Sequence, residues 1–234
     1  MAVLECVINI SEGRDHAAIA AIAAACGDSL LDVHTDADHH RSVLTLCGPT
    51  DDVAPAAARA LTDAAATRID LTQHVGVHPR LGAIDVVPFV ALDPTAPAVA
   101  VEAARQYAEW IVAVHDVPVF LYGAADPAGR TLPDARRDAF VTRDPDLGPR
   151  APHLRLGAVA VGARPPLVAV NVEVEGTDLD LVRRVAHEVR ERDGGLPGVR
   201  ALGLALPGIG HTQVSMNLVD LGRTSIEVAC TEVD

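Results

Sequence analysis

Lysine is absent from this sequence, and all 19 of its basic residues are arginine. Schiff-base chemistry, a phosphate-cradling lysine loop and a lysine general base are therefore excluded. The accompanying richness in Ala, Arg, Gly and Pro marks a compositional bias rather than a function. Aromatic residues make up only 3% of the chain, so the core has to be assembled from Ala, Val, Leu and Ile. Base-stacking platforms for nucleic acid are missing for the same reason. Positive charge is also scarce: 32 acidic residues against 19 basic ones leave a formal charge of −13. That balance argues against tracking a phosphate backbone or an anionic membrane, and any anionic ligand needs a local arginine pocket. No apolar run reaches transmembrane length, and Glu5 and Glu12 interrupt the start where a signal peptide would be apolar. The chain is read as a soluble cytoplasmic protein. Its four cysteines, Cys6, Cys26, Cys47 and Cys230, have no paired spacing and read as small buried apolar residues of a reducing compartment.

What is present is ample apolar material, 49% of 234 residues, enough for one large domain or two small ones. Residues 2–10 alternate as a strand ending at Asn9, and Ser11-Glu12-Gly13-Arg14-Asp15 supplies a turn and a helix N-cap. An Ala-rich helix over 16–26 follows, then a strand over 30–33, the polar run His34 to Arg41, and a strand over 42–47, which together read as a hairpin. Helix formers fill 53–68. Residues 84–91 are almost wholly apolar, as a strand buried on both faces would be. A long helix over 96–114 turns Val99, Val101, Ala104, Tyr107 and Trp110 or Ile111 inward, and a strand over 117–122 comes next. The order β-α-β-β-α-β with one more helix and strand predicts an α+β fold of ferredoxin-like type rather than a doubly wound sheet.

Residues 123–156 have little periodicity and form a long connection, a length that in compact proteins usually serves function or is disordered. Beyond it, a strand over 167–174, a helix over 178–192 and strands over 199–206 and 212–221 repeat β-α-β-β. Two tandem units are expected, 1–164 and 165–234, with the boundary near 160–166 and the second unit lacking its final helix and strand. Its incomplete sheet leaves an edge that a second copy could cover, so a homodimer is one expectation. Arg183, Arg184, Glu188, Arg190, Glu191 and Arg192 read as the solvated face of the second unit's helix.

The stretch richest in chemistry is His74-Val75-Gly76-Val77-His78-Pro79-Arg80-Leu81-Gly82-Ala83-Ile84-Asp85-Val86. Pro79 holds His78 extended, and Gly76 and Gly82 admit backbone turns closed to other residues. Gly76 and Pro79 also disfavour a helix presenting both histidines on one face, which weakens a zincin-like reading. His78 is then a candidate acid or base titrating near neutrality, or an incidental loop histidine. His34, Asp36, Asp38, His39 and His40 crowd five possible metal ligands into one loop, but neighbouring side chains on a loop seldom all face inward, and no metal site is expected.

Glu5 to Gly13, Asp38 to Val43, His74 to Pro88, Leu121 to Ala125, Arg130 to Arg136, Asp146 to Pro149, Gly157 to Arg164 and Gln213 to Leu218 resemble, in order, the formiminotransferase domain of the folate-dependent glutamate formiminotransferase family. The resemblance implies two ferredoxin-like subdomains with folate between them, formimino transfer between tetrahydrofolate and glutamate, and a role in one-carbon metabolism and histidine degradation. It implies His78 of the His-Pro-Arg motif as acid or base, and it puts folate contacts on Gly148 to Gly157, including Pro149. The family carries Lys and Glu where this chain has Val75 and Val77, Asp at His34 and Asn at His40.

The residues support that chemistry on their own terms. Moving a one-carbon imine between amines needs a proton removed, a proton delivered and a tetrahedral intermediate supported, and one imidazole can do the first two. Arg41, Arg80 and Arg164 are candidates to hold glutamate or folate carboxylates in bidentate fashion. Asp85 could orient His78, cap a helix or face solvent. Asn9 could donate to the intermediate or the pterin, or simply form a turn. His74 and His40 are expected in supporting roles. The competing expectation is a folate- or small-ligand-binding module without catalysis.

Overall fold

A computed structural model describes residues 2–49 and 53–234; Met1 and residues 50–52, which the expected first unit includes, lie outside them. The chain is α+β and forms two compact units, Met1–Arg164 and Pro165–Asp234, in tandem.

The first unit runs β1 (Val3–Ile10), α1 (His16–Ala24), β2 (Leu30–Asp36), β3 (Arg41–Pro49), α2 (Val53–Arg68), β4 (Ile84–Ala91), α3 (Pro97–His115), β5 (Val119–Gly123), α4 (Leu132–Asp138) and β6 (Val159–Ala163). Its six-stranded sheet has the order β2-β3-β1-β4-β6-β5. The first four strands are antiparallel in the ferredoxin-like order, and β4, β6 and β5 continue as a parallel extension. Strict alternation along β1 puts Leu4, Cys6, Ile8 and Ile10 in the core and leaves Val7 and Asn9 half-buried on the other face. α1, α2 and α3 pack on the core face through small side chains, with Ala58, Leu61, Ala65, Ala104, Ala108 and Ile111 fully buried. Tyr107 is fully buried, and its hydroxyl is satisfied by Thr62 at 2.6 Å. α4 packs on the opposite face of β5 and β6, where Phe120, Tyr122, Ala135 and Ala160 form a smaller cluster.

The 30–36 and 41–49 strands pair as the expected hairpin, and β4 is buried on both faces along seven of its eight residues. Three expectations are corrected. Residues 159–163, where no strand was expected, form the sixth strand of the first sheet, paired with both β4 and β5. The connection after β5 is ordered: α4 starts at a capping box between Thr131 and Asp134, and the segment is tied by Arg130 to Asp126 and Asp146 and by Arg143 to Asp146. Cys47 and Cys230 are half-buried rather than fully buried.

The second unit runs β7 (Val168–Glu175), α5 (Leu179–Val189), β8 (Val199–Leu206), β9 (His211–Leu218) and α6 (Ile226–Val233), with the antiparallel order β7-β9-β8. Val182, Ala186 and Val189 of α5 face Ala201, Val214 and Met216, and Arg183, Arg184 and Glu188 are exposed on its outer side as expected. The expectation that the final helix is missing is wrong. Residues 226–233 form α6, capped by the Ser225 hydroxyl on Val228 N and packed on β7 and α5. No helix among the described residues is long and apolar enough to cross a membrane.

Candidate active site

The site grows from an irregularity in β4. Ile10 pairs with Ile84 but Asn9 pairs with Val86, so Asp85 is an extra residue bulged out of the ladder. A bulge bends the strand and re-aims a side chain. Here it buries Asp85 completely, with Oδ1 accepting from Leu81 N at 2.6 Å. Its Oδ2 takes both Arg41 Nη1, at 2.5 Å, and Arg136 Nη2 from α4. Burial opposes the Asp85 charge, but the two guanidiniums and the Leu81 N–H outweigh it and hold the carboxyl below its ordinary range. Arg41 is buried too and reaches Asn9 Oδ1 through Nε at 3.1 Å. Two guanidiniums thus share one carboxylate, leaving a net positive centre inside an acidic protein.

The loop before β4 is clasped to the β2–β3 turn. Val77 N donates to Asp38 O at 3.2 Å, His74 Nε2 to His40 O at 2.8 Å, and His40 Nδ1 to Val75 O at 3.0 Å. The His40 and His74 rings stack 4.0 Å apart. His40 adopts a left-handed backbone (φ 50°) and turns Nε2 to Glu12, 3.2 Å away. Glycine is required at 76 because a Cβ there would stand 2.5 Å from His39 O. Gly82 bridges to Gly157, and Ser11 Oγ donates to Gly82 O at 2.7 Å.

His78 is half-buried, and its Nδ1 bonds Pro79 O at 2.7 Å. A carbonyl only accepts, so the ring proton sits on Nδ1 and the lone pair on Nε2. Burial first, and then the charges of Arg41 and Arg136, push its pKa down to about 3, against smaller upward contributions from Pro79 O and Asp85. In the free site His78 is therefore a neutral imidazole with an available lone pair. Burial and the charges of Arg80 and His40 also lower the His74 pKa, although its bond to His40 O opposes them; with Nε2 committed to that carbonyl, His74 is a strut of the loop.

The structure thus brings together Asn9, Arg41, Asp85 and His78, with His40 and His74 behind them. Asp85 does not orient His78, because both of its oxygens are taken and His78 is held by its own neighbour's carbonyl. Arg80 donates to His74 O at 2.8 Å and pairs with no carboxylate among the described residues. Gly157 is stitched beside the loop, with Ala158 N donating to Leu81 O at 3.0 Å. Gly148, next to Pro149, turns instead against Val112 and Pro118. Arg164 follows Ala163, which pairs with Phe89, four residues beyond Asp85 and about 13 Å along the strand. There its side chain bonds Tyr122, whose ring covers Gly162.

Sequence reasoning missed Arg136 and Glu12. Thr131 and Asp134 form a capping signature that places a helix over 132–138, and that helix delivers Arg136. Glu12 accepts from Arg14 N and Asp15 N, at 2.8 and 2.9 Å, besides facing His40. Among the described residues no three His, Cys, Asp or Glu side chains converge on a possible metal position. The hairpin candidates diverge: His34 pairs with Asp32 at the surface, Asp36 accepts from His39 N, and His40 turns to Glu12.

Known proteins match this chain over nearly its full length. Residues 3–164 match the family model described as the formiminotransferase domain, N-terminal subdomain. A glutamate formimidoyltransferase of Streptococcus pyogenes serotype M1 is 37% identical, covering 96% of this chain and 80% of that protein. One from Thermoplasma acidophilum is 35% identical, covering 97% and 80%. A formimidoyltransferase-cyclodeaminase of Sus scrofa is 34% identical over 98% of this chain and 46% of its own length. The chain belongs to the formiminotransferase family.

Proposed function

We propose that this protein is a transferase that moves a formimino or formyl group between tetrahydrofolate, as co-substrate, and glutamate or a similar amino acid, with His78 as general acid and base. The observation that supports the reading best is the pairing of a neutral imidazole, its Nε2 lone pair available, with two guanidiniums that share one buried carboxylate. The guanidiniums suit the carboxylates of glutamate and of the folate tail, which need charge-assisted donors to bind an acidic protein. Such a carboxylate also offsets the positive charge that holds down the His78 pKa, so binding itself raises the basicity of His78 toward a useful range. Arg41 and Arg136 are the assigned anion holders, and Asn9 is a donor beside them. Arg80, Arg164, Pro149 and the Gly148–Gly157 run are assigned to the remainder of the substrate. The domain assignment, 1–164 and 165–234, is part of the same proposal.

The test is a transfer assay with tetrahydrofolate derivatives. Wild-type protein is expected to transfer, and His78→Ala to lose about 10²- to 10⁴-fold in kcat. Full activity in the variant would refute the role of His78. A second reading, a folate-binding module without catalysis, draws on Val75 and Val77, exposed apolar residues that flank His78. Calorimetry showing tetrahydrofolate binding, with no transfer across a panel of amino acids, would favour it.

A further inference from the structure

His40 ties the loop that bears His78 to the turn after β1, and it uses both ring nitrogens to do so. Nδ1 stands 3.0 Å from Val75 O, and Nε2 stands 3.2 Å from Glu12 Oε1. A carbonyl and an ionised carboxylate only accept, so a neutral imidazole, with one N–H, makes one of these bonds and an imidazolium makes both. Glu12 is ionised. Burial opposes its charge, but the N–H groups of Asp15 and Arg14 and the His40 ring outweigh it and hold the carboxyl below its ordinary range. The His40 and Glu12 side chains are 11% and 15% exposed, so little water reaches the pair.

The groups facing the His40 ring are few. Glu12 comes from the turn after β1, and His74 stacks on the ring from the loop side, with Arg80 beyond it at His74 O. Arg14, beside Glu12, turns to Ala37 O, while His39 and Arg41, the chain neighbours of His40, face Asp36 and Asp85. The left-handed backbone of His40 also needs holding, since a residue other than glycine keeps it only when its surroundings fix it.

We propose that His40 is a positioning residue for His78: as an imidazolium it bridges Glu12 and Val75 O and holds the His78 loop in its working position, and on losing its proton it releases one of them. Release of Val75 O frees the loop directly, and release of Glu12 frees the ring that holds the loop. The clasp is therefore whole on the acid side of the His40 titration and opens as pH rises through it. His78 has the opposite dependence, because it gains its lone pair as pH rises. Transfer is then bounded below by His78 and above by His40, and this kinetic consequence rests on the transfer reading above.

The test follows amide exchange, ring titration by NMR and steady-state transfer on the full chain, in wild type, His40→Asn and Glu12→Gln. Asparagine accepts a left-handed backbone and does not titrate. Glutamine keeps an oxygen for Arg14 N and Asp15 N and carries no charge. In wild type the protection of Val77 N–H, corrected for its intrinsic exchange rate, is expected to fall about tenfold or more as pH rises through the His40 ring titration, as loss of a hydrogen bond to a charged group does. The transfer kcat is expected to fall with the same midpoint. In Glu12→Gln the titration and the fall in protection are expected to move together to lower pH by about one unit. In His40→Asn the step is expected to vanish. Protection that stays level through the wild-type titration overturns the proposal, and so does a step that survives in His40→Asn or stays in place in Glu12→Gln. If either variant melts early, the wild-type match between exchange and ring titration decides. A step in exchange with none in an active wild-type kcat overturns the positioning role. A wild type with no transfer overturns the transfer reading, and the exchange step then decides the clasp alone.

Discussion

Two arginine–aspartate networks lie on the first unit, and they are built to different balances. Around the segment after β5, Arg130 and Arg143 face Asp126 and Asp146, two positive groups for two negative ones. Their acceptors also take backbone groups: Asp126 the N–H of Ala128 and of Arg130, Asp146 that of Leu121. This network is neutral and closed, and its work is to order a chain segment with little apolar content. At the β4 bulge, Arg41 and Arg136 share Asp85 alone. That network is one negative charge short, and the shortfall adds to burial in depressing the His78 pKa and leaves room for an anion. A closed network holds structure; an unbalanced one beside a lone pair is a site.

Removing the central carboxylate of each network sharpens the contrast most. Asp85→Asn leaves two guanidiniums facing each other without a counter-charge and is expected to cost about 3–5 kcal/mol in urea denaturation. Asp146→Asn keeps an acceptor for Leu121 N in a half-buried place and is expected to cost about 1–3 kcal/mol. The reverse order would break the comparison. Arg136→Gln comes next. It is expected to raise KM for the carboxylate substrate about tenfold or more, as loss of a hydrogen bond to a charged group does, and to move the His78 titration upward in NMR. Arg130→Gln, in the closed network, is expected to leave KM unchanged.

The third prediction concerns acid. His78 binds a proton in the unfolded chain near its ordinary value of about 6.5, yet in the folded chain only near about 3. Between those values the unfolded state holds more protons, so the His78 contribution to stability, full above the upper value, is lost as pH falls toward the lower one. Asp85, also lowered, adds to the loss at the acid end of that window. His78→Gln is expected to flatten the pH dependence of denaturation across this window, whereas Arg130→Gln, which frees Asp126, is expected to change it only at the acid end, where that carboxyl titrates. The smallest effect belongs to neither network. Asp15 caps α1 by accepting from Ala17 N and Ala18 N, and Asp15→Ala is expected to cost about 1 kcal/mol while leaving transfer kinetics intact.

Much of this was readable along the chain. The hairpin, the doubly buried β4 and the outward charges of α5 follow from periodicities of two and 3.6 residues, which are local. Pro79 and Gly76 likewise announce a shaped loop around His78. Asp85 was legible as a residue of interest but not in its role, because alternation along a strand cannot reveal a bulge until the register of the neighbouring strand is known. β6 was missed for a related reason: a five-residue apolar run has too little periodicity to announce a strand or the sheet it joins. α6 was taken for a chain end although Ser225 supplies its N-cap signal.

By itself the sequence determined the order of the elements from β1 to β5 and from β7 to β9, the apolar faces, an all-arginine set of cations and the loop that bears His78, since each depends on neighbours within a few residues. Only the tertiary structure decided which charges meet. Arg41 and Arg136 come from 44 and 51 residues away to one oxygen of Asp85, and His39 is set beside His78 by a turn that clasps a distant loop. Electrostatic and ring contacts depend on distance in space, and that distance is set by strand register, the bulge and the packing of α4, none of which has a local signature.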